Sequence, residues 1–216
     1  QTGGVSDRGV EVLDRHRLGF DLATFGYIYT RITNPTVSAL EARVASLEGG
    51  RAAVAVASGH AAQLVAFYTL LEPGDHIVAS RFLYGGSLTQ LSHTFPRLGW
   101  DATLVDPRDE AAIRGAITDR TRVIFTESLS NPGGLVADLE MLPRIAQDHV
   151  IPLMVDNTLA SPMLCRPFEW GADLVVHSMT KFLGGHGTSM GGIVVESGRF
   201  DWSASDKFPG LTKPDP

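Results

Sequence analysis

The feature that most constrains this chain is a regular alternation of short apolar runs with helical patterns. Runs at 52–57, 76–79, 102–105, 122–126, 152–155, 174–176 and 192–195 have strand length and composition. Between them, helical patterns are predicted at 61–71, 85–95, 109–117 and 138–148. An earlier helix is predicted at 37–47, capped by Asn34 or Thr36 and ended by Glu48-Gly49-Gly50. Its Val37, Leu40, Val44 and Leu47 recur at three- and four-residue spacing, which predicts one buried face. Asp109 and Asp138 stand where N-caps belong. Strand–helix units of this length build an α/β domain with a mainly parallel, seven-stranded sheet and helices on both faces. Ligands of such sheets sit outside the carboxyl ends of the strands, so the residues at those ends carry the functional argument.

Composition narrows the partners. The formal net charge is −6 and there is no basic block, which argues against nucleic acid and anionic membrane. No apolar run approaches the roughly 20 residues of a membrane span. A single cysteine, Cys165, excludes an internal disulfide framework and fits a reducing, cytoplasmic setting. The histidines are scattered, with no zinc-type spacing. The first residue is Gln and no signal-peptide core is visible, so the chain reads as a piece of something longer. Residues 1–26 are the least legible, with a weak helical pattern at 11–22.

Three lysines face fifteen arginines, and Lys181 is the only lysine outside the C-terminal tail. It follows the apolar run at 174–176 through His177-Ser178-Met179-Thr180 and precedes a glycine-rich turn. A lysine beside a dry strand is expected to be partly desolvated, with an amine available for Schiff-base chemistry. Ser178 and Thr180 are small donors suited to a phosphate. Taken alone, the stretch also reads as a lysine at a strand end with its amine in water. Other strand ends carry complementary groups. Ser58, Gly59 and His60 open a helix and form either an ordinary turn or an anion site made of free amides. Tyr84 precedes two glycines and could stack on a flat ligand or simply pack. Glu127, Ser128 and Asn131-Pro132 follow the 122–126 run, in what reads as a loop. Asp156 ends the 152–155 run, where catalysis and N-capping both place aspartate; buried there, a carboxylate needs a partner. Amine, hydroxyls, helix start, aromatic plate and acid together suit pyridoxal phosphate. Its aldehyde needs the lysine, its ring nitrogen an acid, its phosphate amides and hydroxyls, and its ring a plate.

These residues resemble the pyridoxal-phosphate enzymes of cysteine and methionine metabolism, the cystathionine gamma-synthase and gamma-lyase group of fold type I. The likeness rests on Tyr29-x-Arg31 with Asn34-Pro35-Thr36, Ala57-Ser58-Gly59, Tyr84-Gly85-Gly86, Asn131-Pro132, Val155-Asp156-Asn157-Thr158 and His177-Ser178-x-Thr180-Lys181. Within the group, Phe95-Pro96-Arg97-Leu98-Gly99, the 184–189 turn and the 197–202 stretch are most similar to the O-acetylhomoserine sulfhydrylases. The resemblance implies that residues 27–216 form the cofactor-binding large domain, and that a C-terminal domain supplying the arginine for the substrate carboxylate lies outside this chain. It implies that Lys181 bonds the cofactor and shuttles protons, Asp156 pairs with the ring nitrogen, and Tyr84 stacks. Gly59, His60, Ser178 and Thr180, with Ser58 at the helix start, would hold the phosphate. Family members usually carry Met or Gln at the position of His60. Asn131 would lie near the ring hydroxyl or the substrate carboxylate. Tyr29 and Arg31 would reach the phosphate of a neighbouring subunit in a homotetramer built as a dimer of dimers.

The implied reaction is exchange of the gamma-acetoxy group of O-acetyl-L-homoserine for sulfide, giving L-homocysteine and acetate. Cystathionine synthesis and gamma-elimination are alternatives on the same scaffold. A nucleotide-binding doubly wound protein would need a Gly-x-Gly-x-x-Gly or Walker loop after the first strand, and Ala57-Ser58-Gly59-His60 is neither. A scaffold without catalysis would not be expected to keep Tyr84, Asp156, Ser178, Thr180 and Lys181 together.

Overall fold

A computed structural model describes residues 27 and 29–213. The segment expected at 1–26, with its helical pattern at 11–22, lies outside the described residues. A turn in which Tyr29 O accepts from the amides of Ile32 and Thr33 leads into helix α1 (Pro35–Glu48). Asn34 caps this helix, its side chain accepting from the amides of Thr36 and Val37 at 2.9 and 3.3 Å. Gly49 closes it at φ 76°, a left-handed conformation that glycine adopts at little cost. Strand β1 (Ala52–Val56), helix α2 (Gly59–Leu70), strand β2 (His76–Ser80) and helix α3 (Gly85–Thr89) follow. Then come β3 (Asp101–Val105), α4 (Glu110–Ala116), β4 (Thr121–Glu127), α5 (Met141–Asp148) and β5 (Leu153–Asp156). The chain continues through α6 (Ser161–Leu164), β6 (Leu174–Ser178), β7 (Gly192–Glu196) and α7 (Pro209–Thr212).

The seven strands form one sheet in the order β1-β7-β6-β5-β4-β2-β3. Only β7 runs against its neighbours, pairing antiparallel with both β1 and β6. All other pairings are parallel. Alternation along each strand divides the apolar residues between two cores. Val78, Ile124, Leu153, Val155, Val175, Ile193 and Val195 face one core, shared with α1, α4 and α5. Ile77, Ala79, Val123, Phe125, Met154, Leu174 and Val176 face the other, shared with α2 and with Leu91, Phe95 and Phe208. Helices therefore cover both faces, as the period-two pattern of strands buried on both sides requires.

Two expectations change on contact with the structure, and one pair of caps holds. Of the predicted α1 stripe only Val44 is buried: Val37, Leu40 and Leu47 are 38, 42 and 43 % exposed, and Ala45 and Glu48 turn inward beside Val44. The reason is a polar anchor, because the Glu48 carboxylate is held at the sheet and fixes which side of α1 turns inward. The 85–95 helix changes pitch. It is α-helical only to Thr89, widens to a π-turn over Gln90–Thr94 and tightens to a 3-10 turn over Phe95–Leu98. Pro96 has no amide to donate back along the helix, so the regular ladder cannot continue through it. The N-caps at Asp109 and Asp138 form as expected, the latter accepting from the amides of Glu140 and Met141.

The start of α2 is pressed against the ends of β6 and β7. A Cβ on Gly192 would lie 1.8 Å from the Ser58 carbonyl oxygen, and one on Gly59 would lie 2.6 Å from Ser178 Cβ. Neither contact can relax by moving a flexible side-chain tip. Gly192→Ala is expected to lower the thermal midpoint by at least roughly 4 °C, as overpacking against backbone does. Differential scanning calorimetry that finds an unchanged midpoint would contradict this packing.

Candidate active site

A cavity of about 320 Å³ opens at the carboxyl ends of β4, β5 and β6, against the starts of α2 and α3. It collects nine of the residues singled out in the sequence: Ser58, Gly59 and His60; Tyr84 and Asn131; Asp156, Ser178, Thr180 and Lys181. Tyr29 and Arg31 are not among its lining. They are exposed and contact each other, with the Arg31 guanidinium 5.2 Å from the centre of the Tyr29 ring.

One end of the cavity is built to receive an anion. Ser58 caps α2, its hydroxyl accepting from the Ala61 amide at 3.1 Å. The amides of Gly59 and His60 are the first two of the helix, where no intrahelical acceptor exists. Facing them is the end of β6. The Ser178 amide donates to Thr158 Oγ1 at 2.8 Å, and the Ser178 hydroxyl makes no hydrogen bond among the described residues. The Thr180 hydroxyl donates to the Gly191 carbonyl at 3.3 Å and accepts from the Gly191 amide at 3.2 Å, fixing it on the cavity rim. Two free amides at a helix start, a free hydroxyl and close backbone approach at Gly59 form a cradle for a phosphate.

Asp156 lies in the cavity wall, 8 % exposed. Its two oxygens are held separately: Gln63 Nε2 donates to Oδ2 at 3.0 Å, and the Thr158 amide donates to Oδ1 at 3.0 Å. Gln63 also donates to Ser87 Oγ at 3.0 Å, tying α2 to α3. The carboxylate is thereby fixed in rotation with one edge turned to the cavity. Tyr84 projects its ring into the opening, half exposed, beside the His60 ring at 5.8 Å between centroids. A Cβ on Gly86 would meet His60 Cε1 at 2.4 Å and Tyr84 Cε1 at 2.7 Å, so glycine is needed for these rings to sit together.

Glu127 joins the two loops that flank the opening. Its Oε1 accepts from the Tyr84 amide at 2.6 Å and its Oε2 from the Asn131 amide at 3.0 Å. Burial raises its pKa to about 7, and the nearby Asp156 charge adds to this, while the two amide hydrogen bonds oppose it. The loop beyond Glu127 contains the cis Asn131-Pro132 peptide and leaves Asn131 exposed at the mouth.

Lys181 departs from the expectation of a desolvated amine. Strand β6 is dry, with Leu174 through His177 buried, but Lys181 itself is exposed. It stands three residues past Ser178, in a turn closed by the Gly184 amide on Met179 O and the Gly185 amide on Lys181 O. That turn carries its side chain to the open mouth rather than into the wall.

Three lining residues escaped the sequence argument as site residues. Gln63 lies inside the helix predicted at 61–71, where a polar side chain one turn past a glycine helix start is a visible signal. Thr158 was read only as part of a motif. Glu127 was taken as part of a loop, and nothing in sequence shows that it bridges two backbone segments. Among the described residues there is no group of three or more His, Cys, Asp or Glu placed to hold a metal ion. No helix among them is long and apolar enough to cross a membrane.

The fold and cavity define an α/β protein with an anion cradle, a fixed acid and a lysine at neighbouring strand ends. Residues 12–211 match the family described as Cys/Met metabolism PLP-dependent enzyme, and the chain belongs to that family. Among its relatives is an O-acetyl-L-homoserine sulfhydrylase of Leptospira meyeri, 49% identical over 91% of this chain and 44% of the relative. A homocysteine/cysteine synthase of Saccharomyces cerevisiae is 44% identical over 90% of this chain and 44% of its own length. The chain thus spans about half the length of the curated relatives it matches. Among solved structures, one described as an O-acetylhomoserine (thiol)-lyase from Campylobacter jejuni superposes with a TM-score of 0.91 at 39% identity. It covers 94% of this chain and 51% of that one, and it carries a pyridoxyl-lysine phosphate. A cystathionine gamma-lyase from Lactobacillus plantarum gives 0.78 at 40% identity, over 81% of this chain and 45% of that one. The mainly parallel seven-stranded sheet is the fold type I arrangement, and the family uses pyridoxal phosphate.

Titration of Glu127 gives a test of the cavity geometry. Its folded pKa of about 7 lies above the ordinary 4.5, so the folded state binds the extra proton between those values. Its contribution to stability is present at acid pH and is lost as pH rises through about 7. Glu127→Gln is expected to remove that part of the slope when urea unfolding is measured across pH 4.5 to 7. An identical slope in the variant would show that Glu127 is not buried in this way.

Proposed function

We propose that this chain is the cofactor-binding part of an enzyme that converts O-acetyl-L-homoserine and sulfide to L-homocysteine and acetate. The observation that carries the reading is the convergence of Asp156, Lys181 and the α2 anion cradle on one cavity. The cradle, the fixed acid and the lysine fit pyridoxal phosphate by the chemistry of their donors. The phosphate would rest on the amides of Gly59 and His60 and the hydroxyl of Ser178, the Thr180 hydroxyl would turn its proton from the Gly191 carbonyl to join them, and Ser58 would hold the helix start. Asp156 would face the ring nitrogen, Tyr84 would cover the ring, and Asn131 would stand at its edge. Tyr29 and Arg31 would complete the phosphate site of a neighbouring subunit in a homotetramer, which accounts for their position outside this chain's own cavity. Residues 27–216 constitute the cofactor domain in this reading, and the site of action is the cytoplasm.

The bound cofactor supplies a covalent attachment point for the substrate amine and a sink for electrons released at the alpha carbon. The protein supplies the rest. Lys181 Nζ accepts the alpha proton and returns a proton at the end of the cycle. Its exposure in this chain leaves it free to swing between the cavity mouth and the substrate. Asp156, pinned by Gln63 and Thr158, keeps its charge where the ring nitrogen would lie. Tyr84, carried on an amide clamped by Glu127, shields the reacting face from water. Acetate leaves from the gamma carbon and the sulfide sulfur bonds there, so that the carbon exchanges one substituent for another.

Lys181→Ala in the full-length enzyme is expected to abolish both the yellow absorbance of the bound cofactor and turnover; a colourless wild type, or a yellow and active variant, would refute the assignment. Asp156→Ala is expected to cost far more in kcat than in cofactor affinity, because the phosphate cradle remains. Full activity in Asp156→Asn would argue against the role given to its charge. Sulfide is expected to outcompete cysteine as co-substrate, and a preference for cysteine or for elimination would assign the chain to cystathionine chemistry.

A further inference from the structure

Behind the cavity lies a second polar row that the proposed chemistry does not use. Residues alternate across the sheet at the ends of β4, β5 and β6. Glu127, Asp156 and Ser178 line the cavity. Their neighbours Ser128, Asn157 and His177 turn away from it and are buried. These three are joined by hydrogen bonds that end on Glu48, the last residue of α1. Ser128 Oγ donates to Asn157 Oδ1 at 2.7 Å, and Asn157 Nδ2 donates to Glu48 Oε1 at 2.9 Å and to the Cys165 carbonyl at 2.8 Å. His177 Nε2 donates to the same Glu48 oxygen at 2.5 Å. Glu48, Asn157 and His177 are all 0 % exposed. The backbone ladder of the sheet continues at the same residues on both sides of β5. The Ser128 amide donates to the Asp156 carbonyl, and the Asn157 amide donates to the Val176 carbonyl, each at 3.0 Å.

Stability alone is a poor reason for this arrangement. Burying a carboxylate and an imidazole together costs more solvation than their attraction returns unless every remaining polar atom is satisfied. Here Glu48 Oε2 and His177 Nδ1 have no partner among the described residues. An apolar pair of similar volume would fill the site without that cost. What an apolar pair cannot do is tie the ends of β5 and β6 to one Glu48 oxygen, with the end of β4 joined to them through Ser128 and Asn157.

We propose that Glu48 is a positioning residue, which through His177 and Asn157 sets the placement of Asp156 and of the Ser178–Lys181 turn toward the cofactor. The inference rests on the function proposed above and deepens its account of that site. The test replaces the pair by Glu48→Leu together with His177→Leu in the full-length enzyme. The double variant is expected to keep the wild-type thermal midpoint within a few degrees, roughly the shift of 1 kcal/mol. Its kcat is expected to fall roughly tenfold to a hundredfold at nearly unchanged KM, as small misplacement of a catalytic group does. The pH midpoint of the bound cofactor's visible absorption is expected to move as well. A double variant with wild-type kcat and wild-type absorption midpoint would overturn the proposal. Should that variant fail to fold, Asn157→Ser decides, since it keeps Glu48 and His177 paired and cuts the link from Glu48 to the end of β5. It is expected to lower kcat about threefold or more, on the scale of one lost hydrogen bond, and to move the absorption midpoint, and an unchanged kcat and midpoint would overturn the proposal. A wild-type enzyme that takes up no pyridoxal phosphate would defeat the proposed function instead, so the two failures are distinguishable.

Discussion

The site depends on how closely the start of α2 approaches the ends of β6 and β7. Gly59 and Gly192 permit that approach, and any side chain at either position would collide with backbone or Cβ atoms across the gap. Because of it, the unpaired amides at the helix start and the hydroxyls of Ser178 and Thr180 address one small volume. Unpaired amides of this kind are a cost in the empty cavity and become hydrogen bonds once an anion arrives. The same contact places Gln63, one turn into the helix, within reach of Asp156. A single packing constraint therefore builds both the anion cradle and the rotational lock on the acid.

The second organising device is the alternation of residues at the sheet's carboxyl edge. One side presents Glu127, Asp156 and Ser178 to the cavity, and the other presents Ser128, Asn157 and His177 to Glu48. Each side carries buried acidic groups, which makes the edge expensive and leaves little freedom in its geometry. The two sides differ in chemistry. Cavity residues keep groups available for a ligand, whereas the residues behind them spend most of their hydrogen-bonding capacity on one another. Helix α1 is oriented by this inner row, which is why its apolar stripe of Val37, Leu40 and Leu47 stays at the surface.

Much of this was legible in the sequence, and the part that was not has two causes, contacts between distant residues and local changes of backbone pitch. Strand runs, N-caps at Asn34, Asp109 and Asp138, and the breaks at Gly49 and Gly59 are local signals, and each is found where its local chemistry points. The residues gathered at the cavity were likewise readable, because strand ends in parallel sheets converge. Two of the failures depended on groups distant in sequence. The inward side of α1 is chosen by Glu48 meeting His177, and no periodicity within the helix encodes that contact. Glu127 matters because it holds Tyr84 and Asn131, one of them on another strand's loop. Lys181 was expected to be desolvated because its strand is dry, but the turn after Ser178 governs its exposure.

The central claim is that Lys181, at the mouth of this cavity, is the lysine that bonds the cofactor. Borohydride reduction of the full-length enzyme loaded with pyridoxal phosphate, followed by peptide mapping, tests it directly. The account predicts a stable phosphopyridoxyl group on Lys181 and none on Lys207 or Lys213. Labelling at either tail lysine with Lys181 unmodified would contradict it.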